Sequence, residues 1–206
     1  MENHRIGLIS DVHASPQVLA EALALFRQHD VKQILCAGDI AGYYDAVADS
    51  VALLQAANCA CVIGNHDVSY LSGNDRDETV VDYLSGLPRY REFNVAGHRI
   101  YLVHAEPPDE LHGGIKLLDE SGEFISQRLQ QWQSKLAGFA ADILVIGHTH
   151  QVYAIALGET LLINPGSLPF NHSCMILDLP QKTVRSYAVG GREIVPCWNF
   201  SMLFRG

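Results

Sequence analysis

Five apolar segments of this chain end in the same way, each running into an aspartate, an asparagine or a histidine. The segments cover residues 5–9, 31–37, 59–63, 99–103 and 142–146. Continuous apolar runs of this length predict buried strands of a sheet whose two faces are both covered. Because ligands of open α/β sheets bind outside the carboxyl ends of the strands, the five polar ends predict a single cluster of side chains.

The residues at these five ends supply nitrogen and oxygen donors and no thiolate. They are Asp11, His13, Asp39, Asn65, His66, His104, His148 and His150. Such a set suits Mn²⁺, Fe²⁺ or Zn²⁺, and it contains too many imidazoles for a dedicated Ca²⁺ or Mg²⁺ site. Seven or eight ligands exceed what one ion takes from a protein, so the set predicts two ions that share a carboxylate.

Several members of the set also have an ordinary structural explanation when taken alone. His148 and His150 would project to one side of an extended strand end, where such a pair could simply face solvent. Asp11 or Asp39 alone could cap a helix, and His104 alone could be a core histidine with its hydrogen bonds satisfied. These explanations account for one residue at a time, whereas a metal site accounts for the whole set.

The two stretches between the first three apolar segments have the periodicity of helices. Ser15 and Pro16 predict the start of a helix that runs to residue 26, since serine is a common N-cap and proline suits the first helical position. A second helix is predicted at 45–57. The alternation of three strands with two helices predicts a right-handed, parallel βαβαβ core.

The remainder of the chain adds hairpins to this core. Residues 69–78 predict a loop, 79–85 a short helix and 121–136 a longer helix. Strands are predicted at 91–95, 99–103, 152–157, 161–164, 173–179 and 183–189, the first two joined by a short turn at 96–98. Two packed sheets with helices on their outer faces would accommodate both halves.

The length and charge of the chain bound its class and its partners. At 206 residues and 22.7 kDa the chain suits one domain, 1–206, with a core large enough to need no disulfide or metal staple. A net charge of −9 gives no electrostatic footprint for nucleic acid or an anionic membrane. No apolar stretch approaches the ~18 residues of a membrane span, and no signal peptide is recognised at the start.

The five cysteines predict a reducing compartment, the cytoplasm, because an odd number with three in predicted strands argues against a disulfide framework. Cys59 and Cys61 are either buried core residues or half of a thiolate metal site. The apolar tail, 191–206, packs on its own domain or forms an oligomer contact, and the sequence does not indicate an oligomeric state.

Taken in order, the polar blocks resemble those of the calcineurin-like metallophosphoesterases. The matching blocks are Asp11-x-His13, Gly38-Asp39, Gly64-Asn65-His66-Asp67, His104 and Gly147-His148-Thr149-His150. Asn164-Pro-Gly-Ser167 resembles a further block of the small bacterial and archaeal members. The one departure is Ala105, where the family often has glycine, and alanine is small enough to leave the metal site intact.

The resemblance implies a four-layer α-β-β-α sandwich of two mixed sheets and a site for two divalent ions. By analogy, one ion would be held by Asp11, His13, Asp39 and His150, and the other by Asp39, Asn65, His104 and His148. Asp39 would then bridge the ions, and His66 would be the catalytic histidine, contacting the substrate together with Asn65. The ions would be manganese in the first place, with iron, zinc or nickel as alternatives.

Physical chemistry is consistent with this assignment. Two divalent ions, two aspartates and a bridging hydroxide leave a net positive site, which attracts phosphate to it in an otherwise acidic protein. In-line attack by the hydroxide is the chemistry of such sites. If Asn65 and His66 are extended, their side chains point apart, which frees His66 to protonate the leaving oxygen. Asp67 either orients His66 or caps the next segment, and His112 is a candidate to face the substrate.

The leading hypothesis is therefore a metal-dependent phosphodiesterase acting on a small phosphorylated substrate. Phosphomonoester or phosphoprotein hydrolysis is the alternative within the enzymes, since the resemblance specifies the bond type and not the substrate. A non-catalytic scaffold, as in the retromer subunit that resembles this family, is the alternative outside them. That subunit type lacks the catalytic histidine, so His66 argues against it. No long insertion suggests a cap domain, and we expect an open site.

Overall fold

The protein is described here from a computed structural model that covers residues 4–74 and 76–199. The strands among these residues are β1 (His4–Ile9), β2 (Gln33–Cys36), β3 (Ala60–Cys61), β4 (Tyr90–Val95), β5 (His98–Val103), β6 (Ile143–Val145), β7 (Val152–Leu157), β8 (Thr160–Pro165), β9 (Ser173–Leu179) and β10 (Thr183–Ala188). The helices are α1 (Pro16–Gln28), α2 (Val47–Ala56), α3 (Asn65–Ser72), α4 (Glu78–Ser85), α5 (Ser126–Lys135) and α6 (Leu168–Asn171).

The first sheet has the strand order β10-β9-β1-β2-β3. β1, β2 and β3 are parallel, and α1 and α2 connect them in turn, which confirms the predicted alternation of strands and helices. β9 and β10 add an antiparallel edge next to β1. The parallel part of this sheet delivers the segments that follow β1, β2 and β3 to one edge.

The second sheet has the order β4-β5-β6-β8-β7 and is also mixed. β5, β6 and β8 are parallel, while β4 and β7 pair antiparallel at the two edges. The predicted hairpin is present, closed by the two residues Ala96 and Gly97. Both have positive φ, 49° and 81°, which suits a tight turn between twisted strands.

Apolar side chains between and outside the sheets produce four layers. Ile6, Leu8 and Leu35 of the first sheet pack against inward residues of the second, such as Leu102 and Val145. A second cluster buries α1, α2 and α4 against the outer face of the first sheet. A third packs α5 against the outer face of the second. The α-β-β-α sandwich of two mixed sheets is thus confirmed.

Two predicted helical boundaries were wrong. The helix expected at 121–136 begins only at Ser126, because Asp119 holds the preceding turn by accepting the backbone N–H of Ser121 and of Glu123. The loop expected at 69–78 begins late, since α3 runs through Ser72. Local polar contacts decide where α5 begins, and periodicity does not report such contacts.

The described part of the tail packs on its own domain. Gln151 forms a bridge with Cys197, and the Trp198 N–H donates to the carbonyl of His150 at 3.0 Å. Residues 200–206 lie outside the described part of the chain, so the oligomer contact predicted for the tail remains a prediction. Among the described residues, no helix combines the length and apolar character needed to cross a bilayer.

Candidate metal centre

Short loops after the strands carry the candidate ligands, and their backbones are strained. Asp11, His13, Asp39, His148 and His150 all have φ between 46° and 65°. This left-handed region is uncommon for residues other than glycine and is concentrated at functional sites. β6 ends at Val145, so His148 and His150 do not continue an extended strand as expected. The two histidines belong to two different groups of potential ligands, as the resemblance implies.

The first ligand group consists of Asp11, His13 and His150, all buried. The Nε2 atoms of His13 and His150 lie 3.1 Å apart, and Asp11 Oδ1 lies 3.2 Å from His150 Nε2 and 3.8 Å from His13 Nε2. His13 Nδ1 lies 3.2 Å from the Ala41 carbonyl, which can only accept, so Nδ1 carries the proton and Nε2 offers its lone pair. Burial lowers the pKa of His13 to about 4, which keeps it neutral.

Asp11 Oδ1 accepts no hydrogen bond although it is fully buried. A buried carboxylate oxygen without a hydrogen-bond donor is costly, and it needs an explanation such as a bound ion. The imidazole nitrogens beside it are ligand atoms for Mn²⁺, Fe²⁺ or Zn²⁺. The donor set of the first ligand group therefore fits a divalent transition metal.

The second ligand group consists of Asp39, His104 and His148, with Asn65 beside them. His104 Nε2 lies 3.4 Å from Asp39 Oδ1, and Asn65 Oδ1 lies 3.0 Å from His104 Nε2 and 2.8 Å from His148 Nδ1. His104 Nδ1 donates to the Ala37 carbonyl at 2.6 Å, which turns Nε2 toward the group. This set, too, contains only nitrogen and oxygen donors.

A third group consists of His13, Asp39 and His66, and it shares His13 with the first group and Asp39 with the second. Asp39 belongs to this group and to the second, as expected of a carboxylate placed to touch two ions. Asn65 and His66 are the first residues of α3, so the expectation that they are extended neighbours was wrong. His66 is therefore close enough to Asp39 to be a candidate ligand as well as a candidate proton donor.

The buried aspartates and histidines of these groups shift one another's pKa values. Burial raises the pKa of Asp11, but His150 and the other histidines outweigh it and hold that pKa below its usual range. The pKa of Asp39 is likewise lowered by His104 despite burial. Burial lowers the pKa of His104, yet the Asp39 carboxylate prevails and raises it to about 9. Without metal, the acidic pair is thus partly balanced by a protonated histidine.

Two glycines allow these loops to approach one another. A Cβ on Gly64 would collide with Asp39 Oδ1, and one on Gly147 would collide with Ser10 Oγ. Neither glycine has a positive φ, so glycine is required at each position because it has no side chain. The glycines that precede Asn65 and His148 are therefore part of the site.

Polar side chains outside the predicted set hold the ligand loops in place. Asn164 donates to the Gly147 carbonyl and to Thr149 Oγ1, both at 3.0 Å, and Ser167 donates to the Asp11 carbonyl at 2.8 Å. The block 164–167 therefore positions ligands from both sheets. Asn171, which sequence reasoning missed, donates to the His150 carbonyl at 2.9 Å.

Asp67 caps α3 and does not contact His66 by a hydrogen bond. Its carboxylate accepts the backbone N–H of Gly64 and of Ala41, each at 2.8 Å. Burial and the nearby Asp39 raise the pKa of Asp67 to about 7, although the two N–H donors oppose that rise. Of the two expected roles, the structure supports the cap.

Five of the candidate residues line a cleft of about 240 Å³, here called the metal cleft: Asp39, Asn65, His66, His148 and His150. Sequence reasoning missed four residues that line it: Tyr43, Lys116, Trp198 and Asn199. The rings of Trp198 and Phe170 stack with centroids 4.1 Å apart, and both rings contact His150. In sequence these aromatic residues resemble ordinary core residues, and no spacing links them to the ligands. The predicted candidate His112 lies beside His148, with ring centroids 6.4 Å apart.

Cys59 and Cys61 belong to none of the potential metal-binding groups found in the described part of the chain. All five cysteines are free, and Cys61 is buried in the core on the outer face of the first sheet. The structure thus favours the core explanation for the pair over a thiolate site.

Comparison with known proteins agrees with this geometry. The sequence pattern of the calcineurin-like phosphoesterase superfamily domain matches residues 5–182. The chain belongs to this family. It is 32% identical over 163 residues to a protein of Methanothermobacter thermautotrophicus named "Probable metallophosphoesterase", a match that covers 79% of this chain and 76% of the relative.

Solved structures of the family share the fold. A metallophosphoesterase from Sphaerobacter thermophilus is 20% identical, with a TM-score of 0.70 over 91% of this chain and 89% of that one. A protein described as a novel archaeal phosphodiesterase is 16% identical, with a TM-score of 0.60 over 89% of this chain and 99% of the other. The family acts on phosphoester bonds with the help of metal ions, and the ligand groups described above fit that chemistry.

Proposed function

We propose that this protein is a phosphodiesterase that holds two divalent transition-metal ions in the metal cleft. The observation that carries the proposal is a set of three neighbouring groups of nitrogen and oxygen donors, two of which share Asp39, beside the buried Asp11 oxygen that accepts no hydrogen bond. Two-metal sites of this kind serve phosphoryl transfer. Manganese is the first choice, with iron, zinc or nickel as alternatives.

The ligand assignment follows the groups. Asp11, His13 and His150 would hold one ion, and Asn65, His104 and His148 the other, with Asp39 between them. When bound, the ions would acidify a water molecule and neutralise the charge of the phosphate. Fixed carboxylates and histidines keep these positions without reorganisation during the reaction.

His66 and Asn65 would act on the substrate. Both stand at the start of α3 and line the metal cleft, and Asp39 Oδ1 accepts the backbone N–H of His66 at 2.8 Å. This bond anchors the residue and leaves the imidazole free to donate a proton to the oxygen that leaves phosphorus. General acid catalysis by a placed histidine contributes typically ~10²–10⁴-fold to rate.

One observation favours phosphomonoesters as a second candidate substrate class. Lys116, an exposed residue, lines the metal cleft and could pair with the additional charge of a monoester or of a phosphoprotein. Retention of every candidate ligand and of His66 argues against a non-catalytic scaffold. The free cysteines support a reducing, cytoplasmic location for the enzyme and its small substrate.

The test is hydrolysis by metal-free protein after reconstitution with Mn²⁺, Mg²⁺ or Ca²⁺. We expect bis(p-nitrophenyl) phosphate to be hydrolysed with a higher kcat/KM than p-nitrophenyl phosphate, and Mn²⁺ to restore more activity than Ca²⁺. A preference for the monoester would establish the second candidate. Equal rescue by Ca²⁺ would show that the histidines are not ligands. Inactivity of fully metal-loaded protein on both esters would favour the scaffold.

A further inference from the structure

A second cavity adjoins the metal cleft at His66, which lines both. It has a volume of about 490 Å³, within the range of small-molecule sites. Its polar and aromatic lining consists of Tyr44, Asp45, His66, Ser69, Tyr70 and Asp77. We call it the acidic cavity, since among the described residues that line it there is neither a lysine nor an arginine.

Each of the two carboxylates of the acidic cavity has at least one oxygen that accepts no hydrogen bond from the described residues. Asp45 is exposed and forms no hydrogen bond or ion pair with the described part of the chain. Asp77 caps α4 through Oδ1 alone, accepting the N–H of Thr79 at 2.8 Å and of Val80 at 3.3 Å. Neither carboxylate is therefore neutralised by a cation from the described residues.

Tyrosines accompany these carboxylates. Tyr44 is 51% exposed, and Tyr70 accepts the backbone N–H of Asp77 at 3.1 Å, which places its ring next to the second carboxylate. Aromatic rings and carboxylates together form the environment that attracts an ammonium group, because the ring faces and the carboxylates are both negative. An anionic group would be repelled from the same cavity.

The location of the acidic cavity determines which part of a substrate could occupy it. In the proposed function, His66 protonates the oxygen that leaves phosphorus, so the leaving alcohol must lie on the His66 side. Lys116, the lysine of the metal cleft, does not line the acidic cavity. The two sides of a bound phosphodiester would thus meet different charges.

We propose that the acidic cavity binds the leaving alcohol of the substrate and selects alcohols that carry an ammonium group. This inference rests on the proposed function and adds a substrate class to it. A nucleoside could stack on the tyrosines, but it would leave the two unpaired carboxylates without a cation. An ammonium alcohol satisfies both features of the lining.

The reaction balances as a hydrolysis. The oxygen of a water molecule forms the new bond to phosphorus, and the bond from phosphorus to the alcohol oxygen breaks. The electron pair of that bond goes to the alcohol oxygen, which takes a proton from His66, and a proton from the water replaces it on His66. The products are an ammonium alcohol and a phosphomonoester.

The experiment compares two esters of equal shape, choline methyl phosphate and 3,3-dimethylbutyl methyl phosphate, which differ by a positive charge. With Mn²⁺-loaded protein we expect kcat/KM to favour the choline ester by about 2-fold to 30-fold, the range of cation–aromatic recognition. The products should be choline and methyl phosphate. Formation of methanol and phosphocholine would overturn the inference, since choline would then occupy the other side of the cleft.

Variants test whether the preference for the choline ester arises in the acidic cavity. Asp45→Asn and Tyr44→Leu should each move the ratio of the two kcat/KM values toward one, whereas Asp49→Asn, an exposed carboxylate that does not line the acidic cavity, should leave it unchanged. A ratio of one or below in the unmodified protein would overturn the inference while leaving the proposed function intact. Faster hydrolysis of adenosine methyl phosphate would overturn it in favour of a nucleoside. Failure to hydrolyse any ester, bis(p-nitrophenyl) phosphate included, would overturn both.

Discussion

At the scale of single residues, the carboxylate of Asp39 is the one placed to contact two metal ions, because it lies within reach of ligand atoms in two groups. Asp39→Asn keeps the shape and removes the charge. We expect bound metal, measured by elemental analysis after reconstitution, to fall by at least one ion per chain. Asp49→Asn, an exposed carboxylate on α2, should bind as the unmodified protein does. Two ions at full occupancy in the Asp39 variant would contradict the bridging role.

His66 presents a sharper question, since it lies close enough to Asp39 to be a ligand and is proposed as a proton donor. We expect His66→Asn to retain the metal and to lose on the order of 10²–10⁴ in kcat for an alkyl phosphodiester. The loss for a nitrophenyl ester should be clearly smaller, because nitrophenolate leaves with little protonation.

The control for this comparison is His98→Asn, which changes a histidine on β5 that does not line the cleft. Metal loss in the His66 variant would make it a ligand. Equal losses on the two substrates would indicate that it stabilises the transferring phosphoryl group instead of donating a proton.

At the scale of elements, the Asp67 side chain helps to attach α3 to the loop after β2. Asp67 accepts the N–H of Gly64, before α3, and of Ala41, in the loop that follows Asp39. Asp67→Asn replaces one acceptor by an amide donor, so one buried N–H loses its partner. We expect the free energy of unfolding, from urea titration, to fall by about 1–3 kcal/mol. Asp82→Asn, exposed on α4, should change it little, and an equally small change for Asp67→Asn would refute the role of the cap.

Elements also show how far the sequence predicts this site. The strand ends carrying Asp11, Asp39 and His104 were predictable, because apolar runs followed by polar residues identify them without tertiary information. The left-handed backbone of the loops after these strands was not predictable. It depends on contacts such as that of Ser167 with the Asp11 carbonyl, 156 residues away in sequence. Tyr43 and Trp198 were missed for the same reason, because tertiary packing alone brings them to the ligands.

At the scale of the whole molecule, stability should depend jointly on metal and pH. In the metal-free protein the pKa of His104 is raised to about 9, so its ion pair with Asp39 stabilises the fold below pH 6.5 and is lost as the pH rises through 9. Metal requires the same histidine unprotonated and therefore binds better at high pH. The loss of the ion pair and the stronger metal binding both make the stability of the protein depend more on metal at high pH.

We therefore expect the increase in Tm on adding Mn²⁺, measured by anaerobic thermal scans, to be larger at pH 8.5 than at pH 6.5. The same scans on the Asp39→Asn variant serve as the control and should show a smaller increase. An increase that is independent of pH would mean that no ligand exchanges a proton for metal. The metal-free protein should still unfold cooperatively, because three apolar clusters remain buried without the ions.

The candidate ligands are divided between the two sheets, and this division bears on synthesis of the chain. Asp11 and Asp39 follow strands of the first sheet, whereas His104, His148 and His150 follow strands of the second. A growing chain that has left the ribosome only as far as residue 103 lacks at least one member of the first and of the second ligand group. These two groups can bind metal only after the second sheet has docked, so the metal ions of the cell would meet a folded site and not separate histidines of an unfolded chain.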